Sequence, residues 1–197
     1  MMTRSTPLWP HTAVLMIGGR SRRMGTPKHG LKFPDGRTML DATIDCLIQM
    51  SARQVISGPE HIQTERKHIL DTRPGSGPIG AIESVLKSGL DESYLFVPCD
   101  MPNLKADTLR RLAVALDDAE ATIFKREEEG VRPVLPLGLR CSTATRLQEV
   151  IEHGNQSVHQ FLTMLDVATV PLLDDESDCL MNINTPEEWT SYLTSHE

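Results

Sequence analysis

The chain has 197 residues, 39% apolar and 24% charged, a balance that suits one hydrophobic core in a soluble protein. Its formal net charge of −7 excludes a general affinity for nucleic acid, which requires a broad basic surface. No run of 18 apolar residues is present, residues 1–9 have no apolar signal core, and Cys46, Cys99, Cys141 and Cys179 stand singly, so the expected setting is the reducing cytoplasm, without a membrane.

Short apolar runs alternate with segments of helical period. Residues 13–17 form a buried-strand run, and 39–50 follow with apolar residues at 40, 44, 47 and 48, a helical spacing. Weak strands are read at 54–56 and 68–70, then a helix over 79–86 and a strand over 94–97. An amphipathic helix over 104–116 is expected to turn Leu109, Leu112, Val114 and Leu116 inward, and a strand follows at 121–124. Beyond Gly130 the order is less regular, with strands read at 134–137 and 167–172 and helices at 143–152 and 157–165. Asp174, Asp175, Glu176 and Asp178 read as a solvated acidic loop. Strands separated by helices imply βαβ units, hence an α/β fold with a mainly parallel sheet. No linker divides the chain, so residues 1–197 are expected to make one domain.

The first strand runs directly into Gly18-Gly19-Arg20-Ser21-Arg22-Arg23-Met24-Gly25-Thr26-Pro27-Lys28. Up to Arg37 this region carries six fixed cations against one acid, inside a protein of net negative charge. Glycines let backbone N–H groups approach phosphate oxygens, while arginine and lysine supply charge-assisted donors. The loop follows the carboxyl end of a strand, where parallel α/β sheets bind ligands. It is neither G-x-x-x-x-G-K-[ST] nor G-x-G-x-x-G, so the two common phosphate fingerprints do not apply. A plain basic surface loop is the other reading of the same residues.

Asp71 and Asp100 each end an apolar run, on the sheet edge that carries the glycine loop. Mg²⁺ takes one or two carboxylates together with phosphate oxygens, and Asp100 is well placed to supply one. An aspartate after a strand also serves turns and caps. Around Asp100, Pro98 and Pro102 stiffen the strand exit, and Pro98 argues against full pairing of that strand. Near the C-terminus, Thr185-Pro186-Glu187-Glu188 is explained as a capping box with proline at the first helical position. Asn182 and Asn184 are left over, and their alternation on an extended segment places both on one face.

These strings, in this order, closely resemble the molybdenum cofactor guanylyltransferases, within the wider group of Rossmann-like nucleotidyltransferases. The shared features are GG-RSRRMG-TPK, Asp71 ahead of Gly77-Pro78-Ile79-Gly80-Ala81, Cys99-Asp100-Met101-Pro102, and Asn182-Ile183-Asn184-Thr185-Pro186. The resemblance implies a single-domain three-layer sandwich of the nucleotide-diphospho-sugar transferase type. It implies transfer of GMP from GTP to molybdopterin, with pyrophosphate released and Mg²⁺ as cofactor. By the same resemblance, Gly18, Gly19, Arg23 and Lys28 embrace the nucleotide and its phosphates, and Met16 and Ile17 border the base. Asp71 and Asp100 face the nucleotide, Asp100 holds the metal, and Lys28, Arg23 and Asp100 carry catalysis. Gly77, Pro78, Asn182 and Asn184 face the acceptor, and other cofactor-biosynthesis proteins and acceptor molybdoenzymes are the implied partners. Ile17, Pro27, Ser57 and the Arg132-Pro133 pair depart from the family's usual residues, which bears on nucleobase choice and cofactor fit. A CTP-dependent molybdopterin cytidylyltransferase, a sugar-phosphate nucleotidyltransferase and a non-catalytic nucleotide-binding adaptor are the competing expectations.

Overall fold

A computed structural model of the chain describes residues 7–18, 24–58, 62, 64–125, 134–154 and 157–196. Among these residues seven strands form one sheet: β1 (Trp9–Met16), β2 (Ser51–Gly58), β3 (His68–Leu70), β4 (Ser93–Pro98), β5 (Ala121–Lys125), β6 (Leu137–Arg140) and β7 (Val167–Pro171). Their spatial order is β3-β2-β1-β4-β6-β5-β7. All pairs are parallel except those made by β6, which runs against both β4 and β5.

Helices cover both faces, giving the expected three layers. α1 (Met39–Met50) and α3 (Ala106–Ala115) pack on one face, against Ala13, Leu15, Leu95 and Val97. α2 (Pro78–Lys87), α4 (Ala144–Glu152) and α5 (Val158–Leu162) pack on the other, against Val14, Met16, Tyr94 and Phe96. The alternation within β1 and β4 is the period of two that a strand buried on both faces requires. α6 (Pro186–Ser195) belongs to a third, smaller cluster with Met24, Met39 and Ile183. No helix among the described residues is long and apolar enough to cross a membrane.

Local chemistry sets the helix starts. Thr38 and Asp41 close a capping box on α1, and Thr185 and Glu188 close one on α6, with Pro186 at the first helical position. Gly77 opens α2 at φ +67°, a backbone region that disfavours any side chain, and Pro78 follows it.

Several sequence expectations are corrected. On α1, Leu47 is buried and Leu40 and Ile44 pack partly buried against the core as their spacing implies, joined by Met39, Thr43, Cys46 and Met50, but Ile48 is 41% exposed. Thr43 is tolerated on this face because its hydroxyl is donated to the Met39 carbonyl. Val114 is 56% exposed, since Leu109, Leu112, Ala113 and Leu116 follow the helical spacing and position 114 falls outside it. The sixth strand starts at Leu137 rather than at 134, because Pro136 has no N–H for the ladder. The acidic run is a 3₁₀ helix, Asp174–Leu180, not a fully solvated loop. Glu176 is buried there and accepts hydrogen bonds from the Thr108 hydroxyl, the Leu173 N–H and Arg111.

Candidate active site

β1 lies between β2 and β4. The chain leaves β1 through α1 toward β2, whereas α2 leads from β3 across to β4. The crevice between the carboxyl ends of β1 and β4 is therefore a topological switch point, the usual ligand position in such sheets. Gly18 follows one of these strands and Asp100 follows the other. As Pro98 suggested, β4 is paired with β1 through Pro98 but with β6 only through Phe96. The end of β4 is thus open on one side, and the Cys99 N–H still reaches the Met16 carbonyl at 3.2 Å.

Three distant segments converge in this crevice. The Lys28 ammonium donates to Asp100 Oδ2 at 2.8 Å and to Asn184 Oδ1 at 2.8 Å. The Ile183 N–H donates to the Asp100 carbonyl at 2.9 Å, which sets the asparagine string beside the aspartate. Lys28 starts a 3₁₀ turn after Pro27, and the Lys28 carbonyl accepts from Leu31 N–H. The side chains of Lys28 and Asp100 are 18% and 20% exposed, so the pair is sheltered yet open to exchange partners. Asn182 and Asn184 are both exposed and flank buried Ile183, the single-face arrangement expected from their spacing. Among the described residues Asn184 alone of the two joins the Lys28 group.

The other residues named from sequence lie along the same sheet edge. The side chains of Met16 and Ile17 are buried in the two main cores, so this pair offers chiefly backbone at the crevice. The Ile17 N–H is already donated to the Ser57 carbonyl at 2.8 Å. Gly18 is exposed. Gly19, Arg20, Arg22, Arg23 and the Arg132-Pro133 pair lie outside the described residues. Gly58, at the end of β2, faces Ile17 so closely that a Cβ would stand 2.6 Å from its Cγ1 and 2.9 Å from its carbonyl oxygen.

Asp71 follows β3, and its N–H donates to the Gly58 carbonyl at 3.2 Å. Burial pushes its carboxyl above the ordinary value of 3.8. β3 stands three strand positions from β4, about 14 Å at the usual spacing, so Asp71 faces a different part of the edge from Asp100. The loop from Asp71 to Gly77 is pinned to α2. Thr72 N–H donates to Ser84 Oγ at 2.8 Å, and Arg73 Nε donates to Glu83 Oε2 at 2.9 Å. Glu83 is buried, and Lys87 also pairs with it at 2.7 Å. Gly77 and Pro78 are exposed at the top of this helix.

The residues that hold the converging segments in place carry no motif in the sequence. Phe33, on the segment bearing Lys28, packs edge-on to Trp189 at 5.1 Å, and Trp189 stacks on Tyr192 at 5.6 Å. The available signal was scarcity: aromatics are 4% of the chain, yet Trp189 and Tyr192 fall one helical turn apart.

The donor set suits a hard divalent cation. Asp100 Oδ2 and Asn184 Oδ1 are oxygens that already converge on one charge, the Lys28 ammonium. No group of three or more His, Cys, Asp or Glu able to hold a metal occurs among the described residues, so a cation here would complete its shell with ligand or water oxygens.

Comparison with known proteins identifies the family and the fold. The profile of the "MobA-like NTP transferase domain" matches residues 13–169. A molybdenum cofactor guanylyltransferase of Xanthomonas euvesicatoria is 30% identical over 192 residues, covering 93% of this chain and 95% of the relative. One from Vibrio atlanticus is 26% identical, covering 92% and 94%. Molybdopterin-guanine dinucleotide biosynthesis protein A from Archaeoglobus fulgidus superposes with a TM-score of 0.79 at 22% identity, over 95% of this chain and all of that one. A 2-C-methyl-D-erythritol 4-phosphate cytidylyltransferase from Thermus thermophilus shares the fold at a TM-score of 0.69 and 15% identity, over 93% and 97% of the two chains.

Proposed function

As the chain belongs to the MobA-like NTP transferase domain family, we propose that it transfers GMP from GTP to the terminal phosphate of molybdopterin and releases pyrophosphate. The convergence of Lys28, Asp100 and Asn184 at the switch point carries this reading. An oxygen of the acceptor phosphate attacks the α-phosphorus. A new P–O bond forms, the bond to the bridging α–β oxygen breaks, and its electron pair leaves on pyrophosphate. The attacking phosphate is already anionic, so no histidine or other general base is needed. Positioning and charge neutralisation supply the catalysis.

Lys28 exchanges Asp100 for the triphosphate and offsets the charge that grows on the departing pyrophosphate. Gly18, Gly19 and Arg23 wrap the same phosphates, with Met16 and Ile17 beside the base. Asp100, with Asn184 at its side, would hold Mg²⁺, and the ion would supply neutralisation of phosphate charge. Asp71, about 14 Å along the sheet edge, orients the nucleoside end rather than the metal. Gly77, Pro78 and Asn182 border the acceptor. The setting is the cytoplasm, with biosynthetic proteins delivering molybdopterin and molybdoenzymes receiving the product.

Pyrophosphate release from GTP tests the reading directly. It should require both molybdopterin and Mg²⁺, and Asp100→Ala should abolish it in a protein that still folds. Release without molybdopterin, or undiminished release by Asp100→Ala, contradicts the proposal.

A further inference from the structure

We propose that Tyr192 is a positioning residue for Asp100, acting through Asn103 to set the metal-holding loop. The proposal rests on the functional reading above and adds a residue to it.

The Tyr192 hydroxyl donates to Asn103 Oδ1 at 3.0 Å. Asn103 lies three residues after Asp100, in a short connection where the Leu104 N–H closes back on the Met101 carbonyl at 3.3 Å. The Asp100 segment is therefore tied at further points besides its pair with Lys28. Cys99 is held by β1, the Asp100 carbonyl by Ile183, and the outgoing strand of the loop by Tyr192.

The ring of Tyr192 reaches the remaining partners. It stacks on Trp189 at 5.6 Å with 7° between planes, and on His196 at 4.1 Å. It also meets Phe33 edge-on at 6.3 Å, and Phe33 belongs to the segment that carries Lys28. Its helix begins directly after Asn184 and the Thr185 cap. One side chain thus joins the segments of Lys28, Asn184 and Asp100.

The ring and the hydroxyl have separable tasks. Phenylalanine would preserve the stack with Trp189 and His196, because the stacking uses the ring alone. The hydroxyl has one hydrogen-bond partner among the described residues, Asn103. Burial holds the phenol above its ordinary value of 10.0, so it stays a donor throughout the working pH range.

The test measures Mn²⁺ affinity in the presence of GTP, by electron paramagnetic resonance, for wild type, Tyr192→Phe, Asn103→Ala and the double variant. Tyr192→Phe should weaken Mn²⁺ about fivefold, the weight of one net hydrogen bond. Asn103→Ala should do the same, and the double variant should be no weaker than either, because both changes remove one interaction. Half-saturating Mg²⁺ in turnover should rise by the same factor, with kcat at saturating Mg²⁺ within about twofold of wild type. Unchanged Mn²⁺ affinity in Tyr192→Phe, or additive losses in the double variant, would overturn the proposal. A wild-type protein that binds Mn²⁺ and GTP but forms no molybdopterin adduct would remove the proposed acceptor and leave this metal readout intact.

Discussion

Replacing Lys28 by methionine keeps the apolar stem of the side chain and removes its ammonium. Two hydrogen bonds go with it, to Asp100 Oδ2 and to Asn184 Oδ1, both at 2.8 Å. The paired side chains are 18% and 20% exposed, so water can hydrate Asp100 once its partner is gone. The cost to stability should stay within about 1 kcal/mol, the range of accessible ion pairs. In a chain of this size that shifts Tm by roughly 2–4 °C. The cost to turnover is set by a different quantity, the loss of a positioned cation where charge develops. That is worth about 3 kcal/mol, or a factor of roughly 10² in rate. If Asp100 holds the metal as proposed, the ammonium competes with that metal for the carboxylate. Mn²⁺ without nucleotide should therefore bind Lys28→Met more tightly than wild type, even though the variant turns over poorly. Thermal melts, turnover of GTP with molybdopterin, and Mn²⁺ titration of the nucleotide-free protein check the three parts. Turnover within threefold of wild type, or a Tm loss above about 10 °C with unchanged Mn²⁺ affinity, would refute the reasoning by making Lys28 dispensable or merely structural.

Asp100→Asn preserves shape and an acceptor for Lys28 but loses the charge, so Mg²⁺ dependence and turnover should both fall by roughly 10² or more, checked by Mg²⁺ titration of the initial rate. Asp71 carries a burial-raised carboxyl, so folding favours its protonated form. Its stability penalty grows as pH rises from the ordinary value of 3.8 through the raised folded value, then stays constant. Asp71→Asn should accordingly melt higher than wild type near pH 7, the advantage shrinking to nothing below the ordinary value, while GTP binding weakens; calorimetry across pH and nucleotide titration check the two halves. Gly58→Ala would press a methyl group against the Ile17 carbonyl, 2.9 Å away, directly before Gly18. An overpacking cost of about 1–3 kcal/mol is expected, together with weaker nucleotide binding, and a melt paired with a GTP titration measures both.

Much of this molecule could be read from residue order. β1 and β4 are legible because each is an apolar run with a helix of clear period after it, whereas β2 and β3 follow one another in the chain and read only as weak strands. Asp100 and Asn184 stand out in the sequence because neither a turn nor a capping box fully accounts for them, and the fold brings both to Lys28. The second half was harder. β6 runs against its neighbours and contains Gly138, so neither its start nor its direction has a periodic signature. Glu176 looked solvated because a buried carboxylate announces itself only through distant partners, here Thr108 and Arg111. The small aromatic cluster is likewise non-local: Phe33 and Trp189 meet across most of the chain, and no window of sequence contains both.

The central claim is the identity of the transferred group and its acceptor. Molybdopterin, Mg²⁺ and the protein should be incubated with GTP or with CTP, and the product weighed by mass spectrometry. A molybdopterin adduct carrying GMP should form with GTP and not with CTP. A CMP adduct, or no adduct with either nucleotide, would contradict the claim.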